Sequence, residues 1–479
     1  MTWFAEHWLR LIFVAAYLAM LAHHSWSVRR HTKSLADYLI AGRSLGGWVV
    51  ALSFYATFVS TNTFVGQAGK SWDVGLIWYI QAFVFGLLCY VAWYLVAPRF
   101  VAAAREYGSL TVADFLGFHY RSSRVRRAAA VVICGGSVLY LVAVYRGSAL
   151  ALEQFLGIPY ESAAWAIFAV VTLYTLAGGF RSVVLTDAVQ GALMAVGSVA
   201  IVVVVVMRGG GLASILENIR EQDPALVSWR GNLAPMAIFG LAFAGGMKLL
   251  VDPRQLSRLY GLRDDQALRR ARMVAPLLIF VTYLCLLPIG ALAHALIPAD
   301  AIDDSDRVMP YLLGTAKIFG PTLSSFFLLV LLSAAMSSLD SVLLVAASSA
   351  SRDLFGSHQA EGRIAVTRAW VVLISIVSML VALRPPGGIV EVTALSGSLY
   401  AACFLPTLVV GLYWKRRSAP GALACILVGG ATVALWYLAR KRGWTSWHEV
   451  YAGVVAALAV YALVSVVDRK RTPKRTVVP

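Results

Sequence analysis

Apolar residues fill long stretches of the chain, and polar residues fall in short clusters between them. Runs such as residues 193–207 and 328–350 are nearly free of charge. About 20 apolar residues cross the hydrocarbon core of a bilayer as a helix, so each such run predicts a membrane span. About thirteen are expected, near 3–24, 46–69, 74–98, 127–150, 158–177, 182–207, 234–252, 273–297, 319–350, 364–383, 389–413, 420–438 and 448–467. Their connections are short and punctuated by Gly178-Gly179, Pro385-Pro386 and Pro420. No linker marks a boundary, so residues 1–479 read as one all-α polytopic membrane domain.

Composition agrees: 59% of the 479 residues are hydrophobic and only 14% are charged, which excludes an ordinary soluble domain. The apolar N-terminal segment carries Glu6 and Arg10 and lacks a small-residue cleavage site, so it reads as a retained first span. The five cysteines all lie in apolar runs without metal-ligand spacing, and the eight histidines form no zinc-binding pair. The net charge of +17 changes the picture only through its distribution. Lysine and arginine concentrate on alternate connections: Arg29, Arg30, Lys33 and Arg43, then 99–127, Arg181, 254–272, Arg352, Arg363, Arg368, 415–417 and the tail. The positive-inside rule then puts the N-terminus outside and the C-terminus in the cytoplasm of a plasma (inner) membrane. Arg440-Lys441-Arg442 runs against this, and the acidic group in 300–306 falls outside. The basic excess faces the lipid bilayer; it is no nucleic-acid footprint.

Polar residues at membrane depth need a reason, because a spanning helix must satisfy its own backbone. The second span holds Ser60, Thr61, Asn62 and Thr63 in its middle. Either these hydrogen-bond between helices, or the segment unwinds towards a cavity. The seventh span holds Gly245-Gly246 followed by Lys248. Two interrupted helices five spans apart predict inverted repeats over about 46–207 and 234–413, with one span before them and two, about 420–467, after. The ninth span carries Ser333, Ser337, Ser338, Asp340 and Ser341, and the sixth carries Thr186 and Asp187. These groups suit a hard cation, which takes oxygen ligands. Two buried carboxylates need a cation or a proton between them, which favours two cations per cycle. Arg146 and Lys248 are cations at depth and predict an anionic group on the solute, unless Arg146 pairs with Glu153 and Lys248 snorkels inward.

Four stretches resemble the sodium:solute symporter family, which includes sodium/proline, sodium/sugar, sodium/sialic acid and sodium/pantothenate carriers. They are 37–46 (DYLIAGRSLG), 178–191 (GGFRSVVLTDAVQG), 253–258 (PRQLSR) and 334–341 (AAMSSLDS). The resemblance covers about 36–420. It implies a LeuT-type five-plus-five inverted repeat, sodium as the coupling ion without an organic cofactor, and import of a small organic solute by alternating access. It implies a main sodium site at the carbonyls of Ala56, Val59 and Ala334 and the hydroxyls of Ser337 and Ser338. A second site, present in some relatives, maps to Asp187, Ser337, Asp340 and Ser341. The substrate pocket maps to Phe58, Asn62, Thr63, Tyr140, Gly245 and Leu249, with Arg146 and Lys248 added as the cations. The sodium/proline carriers have an aspartate where Phe58 stands, and aromatics at Gly245 and Leu249, which argues against proline. Most polar sugar contacts of the sugar carriers are also absent. Three rivals stay open: a transporter-fold sensor or receptor, a carrier of a neutral sugar, and a membrane enzyme. No nucleophile–base pair or soluble catalytic domain favours the last, and no obligate protein partner is expected.

Overall fold

The computed structural model describes residues 2–29, 40–228, 233–314, 318–355 and 363–468. Residues 37–39 of the first motif, Arg30, Lys33 and the basic tail lie outside them. The described residues are helical, apart from loops and one isolated bridge between Leu45 and Leu262. Among the described residues, eleven helices are long and apolar enough to cross a membrane. A helix pair bent by 53°, Gly47–Phe58 and Asn62–Val74, makes a twelfth when counted as one span. Where a further span was expected, near 158–177, the structure has a shorter apolar helix, Tyr160–Leu176, so the count is eleven or twelve against the expected thirteen.

The helices are inside out relative to a soluble protein. Large apolar residues such as Leu173, Val196, Leu427 and Leu463 are exposed, while Ser53, Thr57, Asp187, Ser337, Asp340 and Arg258 are fully buried. An apolar exterior this extensive has no counterpart on a soluble monomer and suits lipid.

Helices from both halves of the chain position the site. We label α1 Thr2–Arg29, α2 Gly47–Phe58, α3 Gln67–Val74, α4 Ile80–Val91, α5 Val112–Tyr120, α6 Ser123–Leu156 and α7 Tyr160–Arg208. Then follow α8 Leu212–Gln222, α9 Pro235–Val251, α10 Pro253–Tyr260, α11 Asp265–Leu286, α12 Ile289–Ala293, α13 Pro321–Ser349, α14 Arg363–Ala382 and α15 Ile389–Phe404. The last two are α16 Ala419–Lys441 and α17 Glu449–Val467. Helix α13 is buried along almost its whole length and packs on α7, α6, α1 and α2. Helix α7 joins the expected fifth and sixth spans through a hinge at Gly179, whose φ of 71° only glycine adopts without strain.

One expectation is overturned. The seventh span is not broken at Gly245-Gly246; α9 runs unbroken through both to Val251. A Cβ on Gly246 would lie 2.4 Å from Leu88 Cδ1, and one on Gly245 2.9 Å from Phe85 Cζ. The glycines let α4 approach closely instead of unwinding the helix. The break comes at Asp252, extended at ψ 124°, before Pro253 starts α10. Proline lacks the N–H that would continue α9, and the Asp252 carboxylate caps the new helix by accepting from Arg254 N–H at 2.9 Å.

Candidate functional site

The break after α2 frees backbone oxygens. In a continuous helix the Ser60 N–H would close onto Ala56 O; here it donates to Thr63 Oγ1 at 3.3 Å. The Thr63 N–H would close onto Val59 O and instead donates to Ser60 O at 2.8 Å. Val59 is extended, with φ −77° and ψ 105°. Helix α13 crosses at this point: Ser337 Oγ donates to Ala56 O at 3.0 Å, and 3.5 Å separates it from Ala334 O. The Ser338 hydroxyl is fully buried and has no hydrogen-bond partner among the described residues. Freed carbonyls and an unpartnered buried hydroxyl are what a desolvated sodium ion takes as ligands. Ala56, Ala334 and Ser337 thus meet at one junction, with Val59 in the adjoining break and Ser338 next to Ser337 along α13.

Next to this junction the structure departs from the expected second site. Arg258 of α10 is buried against it. Its Nη2 lies 3.0 Å from Asp187 Oδ2 and also contacts Ser341 Oγ, and its Nε donates to Thr57 Oγ1 at 3.0 Å. Asp187 Oδ2 also accepts from Ser53 Oγ at 2.7 Å. Ser341 Oγ donates to Ser337 O at 2.5 Å and stands 3.2 Å from Asp340 Oδ1. Asp187 therefore has a cationic partner in the protein itself, correcting the premise that only an ion or a proton could serve. The stretch 253–258 carried the signal, but its arginines read as loop charges. Its other members also grip the site. The Gln255 amide, oriented to satisfy both its ends, donates to Phe54 O and accepts from Phe58 N–H, each at 3.1 Å.

A narrow cavity opens beside the break. Phe58, Phe85, Tyr140 and Tyr283 form an aromatic wall, and Asn62 and Thr393 supply polar atoms, joined by a 3.1 Å hydrogen bond. Gly245 and Lys248 line it from α9. Phe85, Tyr283 and Thr393 were not expected there; they come from helices distant in sequence.

Lys248 and Arg254 share this wall but differ. Arg254 makes a forked ion pair with Asp252, at 2.6 and 3.0 Å, and stacks 3.6 Å from the Tyr140 ring centroid. Lys248 Nζ sits 4.8 Å over the same ring and forms no ion pair among the described residues. It is only 4% exposed, so it does not snorkel to an interface.

Three expected pocket residues lie elsewhere. Thr63 stands behind the wall, its hydroxyl 3.0 Å from Tyr283 OH. Leu249 faces an apolar gap with Phe54 and Trp93. Arg146 is out of the cavity: it pairs with Asp304 at 2.7 Å and Asp306 at 3.0 Å and donates to Gly387 O at 3.0 Å. The suggested alternative partner, Glu153, pairs with Arg307 at 3.0 Å instead. The acids that hold Arg146 lie far along the chain, so sequence spacing gave no hint of them.

The sodium:solute symporter family model matches residues 38–429. The chain is 30% identical over 436 residues to the sodium/pantothenate symporter of Escherichia coli, spanning 88% of this chain and 89% of that one. It is 28% identical over 472 residues to the osmoregulated proline transporter OpuE of Bacillus subtilis, spanning 96% and 95%. Its fold is similar to that of a Na+-coupled sialic acid symporter solved in a substrate-bound outward-open state. The TM-score is 0.79 at 17% identity, covering 96% of this chain and 97% of that one.

Proposed function

The chain belongs to the sodium:solute symporter family, and from that premise we propose that it imports a small monocarboxylate together with sodium. The observation that carries the substrate class is Lys248. It is a buried lysine on the cavity wall without an ion pair among the described residues, beside an arginine whose carboxylate is already supplied. A buried charge wants a partner, and a solute carboxylate provides one. The aromatic wall suits an apolar body attached to that carboxylate. Proline and pantothenate, the solutes named for two relatives, both carry a carboxylate, which supports this reading. A thermal-shift screen of carboxylates, amino acids and sugars, with and without sodium, tests it. Stabilisation by neutral sugars and by no carboxylate sinks it.

Sodium enters from outside, fills the α2–α13 junction and favours the outward-open state; the solute then binds beside the break. The N-terminus lies outside and the C-terminus in the cytoplasm, in the plasma (inner) membrane. The repeats run over about 46–207 and 234–413. The Ser338→Ala variant removes one neutral oxygen ligand, worth about 1 kcal/mol. Half-maximal uptake is expected to need several-fold to tenfold more sodium, at unchanged protein abundance. Unaltered sodium dependence in both Ser337→Ala and Ser338→Ala overturns the main site.

The Arg146 cluster closes the outer end. It ties α6 to the loop holding Asp304 and Asp306 and to the start of α15, where Asp306 accepts from Ile389 N–H at 3.1 Å. Burial raises the Asp306 carboxyl to about 6 from 3.8. Arg146 and the Ile389 N–H pull it down; Asp304 and Asp73 push it up. Opening exposes Asp306 and returns it towards its ordinary value. The closed gate therefore binds the proton more tightly. This stabilisation is fully present below about pH 4 and is lost as pH rises through about 6. Acidifying the outside from about pH 7.5 to about pH 5.5 is expected to shift the gate roughly fourfold towards closed. Uptake should then need more sodium, and Asp306→Asn should flatten that dependence. A wild-type sodium requirement that stays constant over this range counts against the gate.

A further inference from the structure

We infer that the cavity selects a monocarboxylate bearing a hydroxyl or keto oxygen beside its carboxylate and no amine, and that Arg254 reads this oxygen. The inference rests on the monocarboxylate reading and narrows the solute within it. It starts from an unfilled donor. Arg254 is buried on the cavity wall, only 2% exposed. Its Nε and Nη2 are taken up by Asp252, at 3.0 and 2.6 Å. Nη1 has no hydrogen-bond partner among the described residues. A guanidinium presents its N–H groups in a fixed fork, and a buried donor left idle costs stability until something supplies an acceptor.

The rest of the wall is also rich in donors. The Lys248 amine and the Arg254 fork lie against one ring, that of Tyr140, at 4.8 and 3.6 Å from its centroid. Two donors at one ring are positioned for neighbouring oxygens of one small solute. The side-chain amides add donors more than acceptors. Gln67 Oε1 already accepts from Trp78 Nε1 at 2.8 Å, and Asn62 Oδ1 meets Thr393 Oγ1 at 3.1 Å, which leaves the amide N–H groups over. No aspartate or glutamate lines the cavity among the described residues. An ammonium beside the solute's carboxylate would therefore stand next to Lys248 and Arg254 with no carboxylate of its own to meet. A hydroxyl or keto oxygen at the same place accepts what the wall offers.

The test is solute-dependent thermal shift on the purified full-length protein in saturating sodium, with two matched series of probes. One is propanoate, lactate, pyruvate and alanine. The other is isovalerate, its α-hydroxy and α-keto derivatives, and valine. In at least one series an oxygenated acid is expected to bind about tenfold or more tighter than both the parent acid and the amino acid, because a site built to bond an oxygen penalises analogues that lack it. Arg254→Lys keeps a cation for Asp252 but removes Nη1. It should bring the oxygenated and parent acids to within about threefold of each other while both still bind. A purely structural role for Arg254 would leave that ratio unchanged, so an unchanged ratio overturns the part assigned to it. Equal binding of parent and oxygenated acids in wild type, or an amino acid that binds as well as the oxygenated acid, overturns the inference and leaves the monocarboxylate reading standing. These wild-type ratios decide even if the variant does not fold. Failure of every acid to bind overturns both.

Discussion

Replacing Lys248 with Met is expected to weaken binding of the transported carboxylate by at least a hundredfold while leaving sodium binding intact. Lys248 is the cation in the cavity wall whose charge is not already matched by a side chain. A charge-assisted hydrogen bond contributes about 1.5–3 kcal/mol. Removing its donor also leaves the solute carboxylate buried and unpaired, a situation that costs about 3–5 kcal/mol. Each 1.4 kcal/mol is about tenfold in affinity, so a hundredfold is the lower end. Methionine preserves most of the stem. That matters because Lys248 Cε packs 2.9 Å from where a Cβ on Gly397 would stand. The variant should also melt at a higher temperature without solute, since removing a buried, unpaired amine next to Arg254 outweighs the lost contact with Tyr140. Lys248→Arg should restore affinity only in part, because the bulkier fork meets α15 at Gly397. The measurement is solute-dependent thermal shift in saturating sodium. Equal carboxylate affinity in wild type and Lys248→Met rules out Lys248 as the solute's partner.

The parts of this site that the sequence exposes are those where local chemistry contradicts its surroundings. Four consecutive polar residues, Ser60 to Thr63, in an apolar span signal a segment that cannot stay helical against lipid. The structure bends there by 53°. The serines of α13 stand out for the same reason. Gly245-Gly246 misled because glycine permits two outcomes, unwinding or close packing, and only the position of Phe85 and Leu88 selects between them. The true break was written as Asp252-Pro253, a cap followed by a residue that cannot extend the previous helix. Partner identity was beyond reach. Arg146 meets Asp304 and Asp306 from the far half of the chain, and Arg258 meets Asp187 across 71 positions. Arg254 and Arg258 were counted among the cytoplasmic charges that orient the chain, yet both are buried and ion-paired. The topology therefore rests on the remaining basic loops.

The Asp187→Asn variant should lose transport and lose stability, and removing Arg258 in the same chain should return much of the stability. Asp187 is fully buried on α7 and joins three elements: Ser53 and Thr57 of α2 at 2.7 and 3.5 Å, and Arg258 of α10 at 3.0 Å. Asparagine is close in volume, so packing changes little. What changes is charge. The guanidinium stays where it is, held by Thr57 and Ser341, without its nearest carboxylate. Breaking a buried pair by deleting one partner costs about 3–5 kcal/mol, whereas replacing both together is often close to neutral. Asp340 also acts on the guanidinium, less strongly than Asp187, and its Oδ1 stands 3.2 Å from Ser341 Oγ. The single variants Asp187→Asn and Arg258→Met should therefore each lower the melting temperature by several degrees, and the double variant should melt above either. This double-mutant cycle isolates the coupling between the two residues from the loss of hydrogen bonds to Ser53 and Thr57. Stability losses that simply add in the double variant would show that the two charges do not act as a pair.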